Sequence, residues 1–360
     1  MVALIFCWGL EKQKNEASFK NPLILLMNRD NSTARCCDEC GEEGGVSLKV
    51  CKACMHARYC GAECQKNHWP KHKKDCKRRA AELRDQALFK YPPPKEDCPI
   101  CFLPMPTKLI CCLSLPPATI SSVPIYDFAE ANEGLTTEPM EGYYPCCGKS
   151  ICHECIHSFQ YSGNVKCPFC NSDRGGILVE DAIKDIRKRV ESNDAASIYV
   201  LGSYYYHGQL SLQQGVSGFP QDLAKATELY IRAADLGNSQ AHCQLGDIYH
   251  KGGDLKKAKF HYEAAAMAGH EVARITLGRL EFNSGNMERT VKHWTIAASA
   301  GDYLAMHNLR VFFEDGDVSR DTIDSTLDAY NKSCVEMRSK ERDVYIRFVI
   351  DRLVLMNLKI

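Results

Sequence analysis

Between residues 37 and 76 the chain reads C-x2-C-x10-C-x2-C-x5-C-x3-C-x7-H-x3-C, which gathers Cys37, Cys40, Cys51, Cys54, Cys60, Cys64, His72 and Cys76 into one short stretch. Thiols with two or three residues between them chelate. Zn²⁺ takes four soft or borderline ligands in a closed structural site, so eight such ligands make two tetrahedral sites. His72 and Cys76 stand one helical turn apart and so face the same ion. About 40 residues bury too little apolar surface to fold unaided, and here metal would supply the folding free energy. Cys36 is a spare neighbour of Cys37.

A second set follows. Cys98 and Cys101 lie in "CPIC", then come Cys146, Cys147, Cys152 and Cys155, and Cys167 and Cys170 lie in "CPFC". The segment 102–145 is rich in Pro, Ser and Thr without a sustained period. It is too long for a compact loop and reads as a flexible insertion, with Cys111 and Cys112 inside it unassigned.

The first set, including "YCGAECQKNHWPKHKKDC", resembles a MYND zinc finger from end to end. The resemblance implies interleaved sites, with Cys37, Cys40, Cys60 and Cys64 on one ion and Cys51, Cys54, His72 and Cys76 on the other. It also implies a peptide-binding surface. The second set resembles a RING finger in an all-cysteine variant, which implies one site from Cys98, Cys101, Cys152 and Cys155 and most of another from Cys147, Cys167 and Cys170. In "YPCCGKSICHEC", Lys149 stands where a RING finger has histidine, and an ammonium has no lone pair to give. Cys146 is the best substitute, with His153 and His157 as alternatives. Adjacent side chains of an extended strand point to opposite faces, so a joint chelate by Cys146 and Cys147 demands a sharp turn, which Gly148 would help to make. The expected cofactor is Zn²⁺, four ions per chain.

Ile100 and Pro168 match the apolar positions with which RING fingers grip a ubiquitin-conjugating enzyme. Asn171 stands where active ligases often carry a cation, and a short amide does not replace a long charged arm. The expectation is therefore an adaptor, with a RING-type ubiquitin ligase as the alternative. A SET-type lysine methyltransferase, which also occurs with MYND fingers, is rejected: the chain has no "NHSC"-like stretch and no cofactor-binding glycine motif.

Composition sets the bounds. The 360 residues are 45% apolar and 25% charged with zero formal charge, enough for two or three domains and without a global field toward nucleic acid or membrane. Most of the 21 cysteines fall between 36 and 170 in chelating pairs, as expected in a reducing compartment. "MVALIFCWGL" lacks a basic flank and a cleavage site, so residues 1–35 read as a disordered N-terminal segment rather than a secretory signal. No stretch has the length of a membrane span, and the expected location is intracellular, cytoplasm or nucleus. Lys66, Lys71, Lys73, Lys74, Lys77, Arg78 and Arg79 read as a solvated face that offsets the thiolate clusters. Fifteen thiolates around four divalent ions leave the loaded protein net negative by about seven charges, which argues against nucleic acid.

Residues 78–91 read as a helix ended by "YPPPKED", so 77–97 is a helix and Pro-rich linker. Beyond 195 a 32-residue period takes over. It relates Leu245-Gly246 to Leu277-Gly278 and Leu309, and Gly237 to Gly269 and Gly301. It also relates Tyr230 to Tyr262 and Trp294, and Ala233-Ala234 to Ala265-Ala266 and Ala297-Ala298. The unit is a helix–turn–helix. Gly246 and Gly278 permit close helix approach, Gly237, Gly269 and Gly301 take the left-handed C-terminal position, and Asn238 and Asp302 cap the helices that follow. The first unit is twelve residues longer and contains "GVSGFPQDLAKATELYIRAADLGN". This resembles the Sel-one-like repeat, a relative of the tetratricopeptide repeat, over 195–302.

Repeats are expected over 195–335. The unit after 303, with Arg310 in place of glycine, reads as a degenerate cap, and 336–360 reads as a closing helix. Stacked helix pairs imply a concave surface for proteins or peptides. His242, His250, His261 and His293 keep no metal spacing and read as packing or surface residues. The fold class is therefore multidomain: two small zinc-organised modules, with short strands and helices, followed by an all-α helical-repeat solenoid.

Overall fold

The computed structural model describes residues 37–41, 48–105, 141–163, 166–172, 179–208, 219–340, 342–345 and 347. The N-terminal segment, most of the insertion and the end of the closing helix lie outside them. The chain divides into two compact units, 1–90 and 91–360.

In the first unit β1 (Lys49–Val50) pairs antiparallel with β2 (Arg58–Tyr59), and α1 (Ala62–Leu88) follows. The helix expected over 78–91 thus begins sixteen residues earlier, inside the finger, and ends at Leu88. Pro70 removes one backbone donor but leaves the helix continuous. On its far half Arg78 pairs with Asp75 and Glu82 on an exposed face. That solvated charge matches the reading of the basic run and adds little stability.

In the second unit β3 (Glu141–Tyr144) and β4 (Lys149–Cys152) form a hairpin with Glu141 opposite Cys152 and Tyr144 opposite Lys149, and α2 (His153–Tyr161) follows. The ends of the expected insertion are therefore ordered: β3 lies within 102–145, and Pro104 bridges back to Asp97. Nor is the Pro-rich stretch a bare tether. Lys95 pairs with the buried carboxylate of Glu271 at 2.5 Å, and Pro92 packs beside Gly269.

The remaining helices run α3 (Val179–Glu191), α4 (Ala195–His207), α5 (Leu223–Asp235), α6 (Ser239–Lys251), α7 (Leu255–Met267), α8 (Glu271–Asn283), α9 (Met287–Ser299), α10 (Tyr303–Glu314) and α11 (Arg320–Glu336). Each packs on the next, the arrangement of a helical-repeat solenoid.

The 32-residue period has a physical content. Gly202, Gly246 and Gly278 each lie where a Cβ would overlap the ring of Tyr230, Tyr262 or Trp294 on the following helix. Gly237, Gly269 and Gly301 all hold φ near +90°, a conformation that costs glycine little. Asn238, His270 and Asp302 then accept the N–H of Ala241, Ala273 and Ala305, capping α6, α8 and α10. Asp222 and Asp254 do the same for α5 and α7, which the sequence pattern did not single out.

The unit after 303 is a full helix pair. Arg310, at the glycine position, is exposed and pairs with Glu314 at 3.5 Å, and the residue one period beyond Trp294 is the small Thr326 on α11. Leu309, Phe312, Val318 and Ile323 close the core there.

Candidate metal centres

Among the described residues, four groups of potential metal ligands converge, each with its donor atoms within 4.8 Å of one another. They are Cys37, Cys40, Cys60 and Cys64; Cys51, Cys54, His72 and Cys76; Cys98, Cys101, Cys152 and Cys155; and Cys146, Cys147, Cys167 and Cys170. The ligand pairs alternate along the chain within each module, so each pair of sites braces the same backbone twice.

Local backbone chemistry aims the ligands. Gly41, Met55, Phe102, Gly148 and Asn171 each follow a ligand cysteine, and each holds a φ between +53° and +70°. The N–H of each donates four residues back, to the carbonyls of Cys37, Cys51, Cys98, Tyr144 and Cys167, at 2.8–2.9 Å. The left-handed residue closes a tight knuckle with both sulfurs on one side. Glycine and asparagine tolerate this conformation, whereas Met55 and Phe102 are held in it by the closure.

In the first unit α1 presents Cys64, His72 and Cys76 from one end of its length. His72 Nε2 lies 3.4 Å from Cys54 Sγ, and His68 stacks on the His72 ring while its Nδ1 meets the Tyr59 hydroxyl at 3.0 Å. This packing orients the imidazole, as an outer shell should.

The sulfur separations test whether Zn²⁺ fits. Cys40 to Cys60 is 3.6 Å, Cys60 to Cys64 3.4 Å, and Cys51 to Cys76 3.7 Å. In the second module Cys98 to Cys155 and Cys101 to Cys152 are each 3.8 Å, and Cys147 to Cys167 is 3.4 Å. Thiolates about 2.3 Å from Zn²⁺ at tetrahedral angles stand about 3.8 Å apart, and a disulfide would need about 2.05 Å. The donor set fits Zn²⁺ and excludes those cystines.

Electrostatics agree. In every cluster one thiol is eased toward thiolate while another is pushed up. The Cys40 backbone N–H, with other backbone donors, lowers Cys37 to about 6, and the Ser172 hydroxyl lowers Cys170 to about 6. Cys51 is lowered by the Cys54 thiol and Cys98 by the Cys152 thiol. Conversely, hydrogen bonding to Cys51 lifts Cys54 to about 12, hydrogen bonds from Cys60 and Cys155 lift Cys64 and Cys152, and burial lifts Cys147. Three or four thiols crowded at one point ionise together only around a shared cation.

Of the side chains near Lys149, a cysteine is the one that lies with the last group. Cys146 joins Cys147, Cys167 and Cys170. Lys149 turns away, its ammonium 4.6 Å above the Phe169 ring. His153 and His157 face the Tyr345 ring, not the cluster. Burial lowers His153 to about 4, which keeps that imidazole neutral.

Two arginines that no spacing rule could reveal complete the surroundings. Arg342, fully buried, donates to the Pro104 carbonyl at 2.8 Å and the Met337 carbonyl at 2.7 Å, and lies 3.8 Å from Cys101 Sγ. Arg189 reaches the Cys146 turn from α3.

Comparison with known proteins follows this division. A model of the MYND finger matches residues 37–76, and a model of the Sel1 repeat matches 195–238 and 239–270. Among curated relatives, the histone-lysine N-methyltransferase ASHR1 of Arabidopsis thaliana is 40% identical over 58 residues, 16% of this chain and 12% of that protein. The histone-lysine N-methyltransferase SMYD3 of Homo sapiens is 49% identical over 43 residues, 11% of this chain and 9% of that protein. The chain thus spans about a tenth of the length of these relatives, a share the size of the finger. Among solved structures, the Sel1 repeat protein from Oxalobacter formigenes gives a TM-score of 0.37 at 22% identity, covering 50% of this chain and 71% of that one. The protective antigen c5321 of uropathogenic Escherichia coli, which displays an SLR fold, gives 0.37 at 21% identity, covering 59% and 41%. Residues 37–76 are a MYND finger, and residues 195–270 are Sel1 repeats.

Proposed function

We propose that this protein is a zinc-organised scaffold for protein–protein contacts, with a MYND finger at 37–76, a RING-like module at 98–171 and helical repeats over 195–335. Four Zn²⁺ ions per chain would be held by the four clusters. One observation carries the reading: every cluster offers four protein ligands, so no coordination position is left for water or substrate. Closed sites of this kind support structure, whereas catalytic zinc keeps a position open. When bound, the ion supplies charge balance for the thiolates and folding free energy. The repeats add an extended helical surface of the sort that binds proteins or peptides. An intracellular location, cytoplasm or nucleus, belongs to this reading, since thiolates must stay reduced. Among the described residues no helix is long and apolar enough to cross a membrane. Native mass spectrometry of the full chain tests the proposal. Four zinc ions are expected. Three would mean that the Cys146 cluster does not load, and two would remove the RING-like reading.

A second reading, a RING-type ubiquitin ligase whose repeats select substrates, draws on the alternating ligand pairs and on one surface feature. Ile100 and Pro168 are half-buried in two zinc knuckles, and beside Ile100 the ring of Phe102 is 76% exposed. Such a surface suits an apolar partner. Asn171 counts against it: a left-handed φ of +58° favours asparagine there, and its amide lacks the long cationic arm. Autoubiquitination with a panel of conjugating enzymes separates the readings. Activity that Ile100→Ala abolishes would favour the ligase, and inactivity throughout would favour the scaffold.

A further inference from the structure

Adjacent cysteines are poor partners for one ion, because an extended backbone sends their side chains to opposite faces. Cys146 and Cys147 converge because the chain folds back between β3 and β4. The N–H groups of Cys147 and Gly148 both donate to the Tyr144 carbonyl, at 3.1 and 2.8 Å, and Gly148 takes a left-handed φ of +68°. In the other knuckles the residue four places before the left-handed one is itself a ligand cysteine; here it is Tyr144. The second thiol must therefore come from inside the turn, at Cys146, and the peptide planes on either side of it must be held at one angle.

One side chain grips both. Arg189, in the last turn of α3, donates Nε to the Pro145 carbonyl at 2.6 Å and Nη2 to the Cys146 carbonyl at 3.0 Å. Its guanidinium lies against the bare face of Gly148: a Cβ there would meet Nη1 at 2.5 Å and Cζ at 2.9 Å. The base of this clamp is also fixed. Asp194, three residues beyond α3, accepts the Ala196 N–H at 3.2 Å, the Tyr143 hydroxyl at 3.0 Å and the Ser197 hydroxyl at 2.7 Å. Tyr143 lies on β3, so the hairpin is tied to the start of α4 on one side and to the end of α3 on the other.

We infer that Arg189 is the positioning residue of the fourth metal cluster, holding the Pro145 and Cys146 carbonyls so that two neighbouring thiols complete a tetrahedral set with Cys167 and Cys170. The inference rests on the reading that this cluster takes Zn²⁺. Chemistry favours arginine for the task. A planar fork with fixed charge satisfies two carbonyls at once, and it sets a positive charge beside a four-thiolate zinc site of net charge about −2. It also follows that the RING-like module is not autonomous: its second site is finished by a helix outside 98–171.

The test uses the full chain and three variants, Arg189→Ala, Arg189→Lys and Cys146→Ser. Zinc content is read by native mass spectrometry, zinc release by a chromophoric chelator, and ligand number by the charge-transfer and d–d absorption of the Co²⁺-substituted protein. Arg189→Ala is expected to release one of four ions about tenfold or more faster, the usual scale for losing an outer-shell partner, with the other three unchanged. Arg189→Lys is not expected to rescue, since one ammonium does not span both carbonyls. Combining Arg189→Ala with Cys146→Ser should add nothing to Cys146→Ser alone, because the arginine acts through that thiol. This cycle reads the coupling even if Arg189→Ala also lowers the melting temperature. Four ions with native release rates in Arg189→Ala, or additive losses in the double variant, would overturn the inference. Three ions in the unmodified protein, unchanged by Cys146→Ser, would overturn the underlying zinc assignment instead.

Discussion

The Cβ that Gly278 lacks would fall within the indole of Trp294, whose Nε1 donates to the Ile275 carbonyl at 3.4 Å on the same helix as the glycine. Glycine and ring are two halves of one contact, repeated as Gly246 with Tyr262 and Gly202 with Tyr230. Gly278→Ala should therefore destabilise the solenoid by about 1–3 kcal/mol through overpacking, beyond any gain in helix propensity. Arg310→Ala, at the same register but exposed, should stay within about 0.5 kcal/mol. Chemical denaturation of the helical signal distinguishes the two, and equal effects would show that the interlock carries no stability.

Lys149, His153 and His157 stand close to the second metal module in sequence but turn toward Phe169 and Tyr345. Replacing each by alanine should leave the zinc content of the purified protein unchanged. Elemental analysis checks this, and the loss of one ion from any of the three would show that it serves as a ligand.

Much of this was legible in the residues, and the remainder was hidden for identifiable reasons. All eight ligands of the finger announce themselves by spacing, because chelation requires short loops. The 32-residue period is equally plain, since every helix pair solves the same packing problem with glycine and an aromatic ring. Cys146 is only one option for the fourth position in the sequence, because its convergence with Cys147 depends on a turn whose carbonyl is gripped 43 residues away by Arg189. Arg342 is invisible for the same reason: it reaches Pro104 across 238 positions, and a single distant hydrogen bond leaves no periodicity. The helix begins at Ala62 rather than at residue 78 because its first turns bury only His72 and Cys76 and carry charge elsewhere, so no apolar stripe marks them in the sequence.

Metal removal should act unevenly. Around the finger the buried core consists of Cys37, Cys51, Cys54, Ala57, Tyr59 and Cys76, mostly ligands, and little apolar surface remains to hold it without zinc. The solenoid core of Ile198, Tyr230, Leu245 and their neighbours is ordinary side-chain packing. A strong chelator should make residues 37–60 susceptible to limited proteolysis while helices over 195–336 keep their protection. Protection of 37–60 after verified zinc loss would refute the claim that sulfur-bound metal organises the finger.

The pair His242 and His261 makes stability depend on pH. Their Nδ1 atoms lie 3.0 Å apart between α6 and α7, with the Tyr249 ring stacked on His261. One nitrogen must donate and the other accept, so at most one of the two rings can be charged in the folded state. Burial lowers each to about 4, and for His261 the nearby His242 and Lys257 charges push the same way. In the unfolded chain both titrate near 6.5. Below that value the unfolded state binds protons that the folded state refuses, so stability is full above about 6.5 and is lost as pH falls toward about 4. Each histidine would contribute a loss of about 2 kcal/mol between pH 7 and pH 5. His261→Gln, which cannot take up a proton, should flatten the slope by about that amount in denaturant melts of the helical signal at the two pH values. An unchanged slope would mean that the pair already carries a proton when folded.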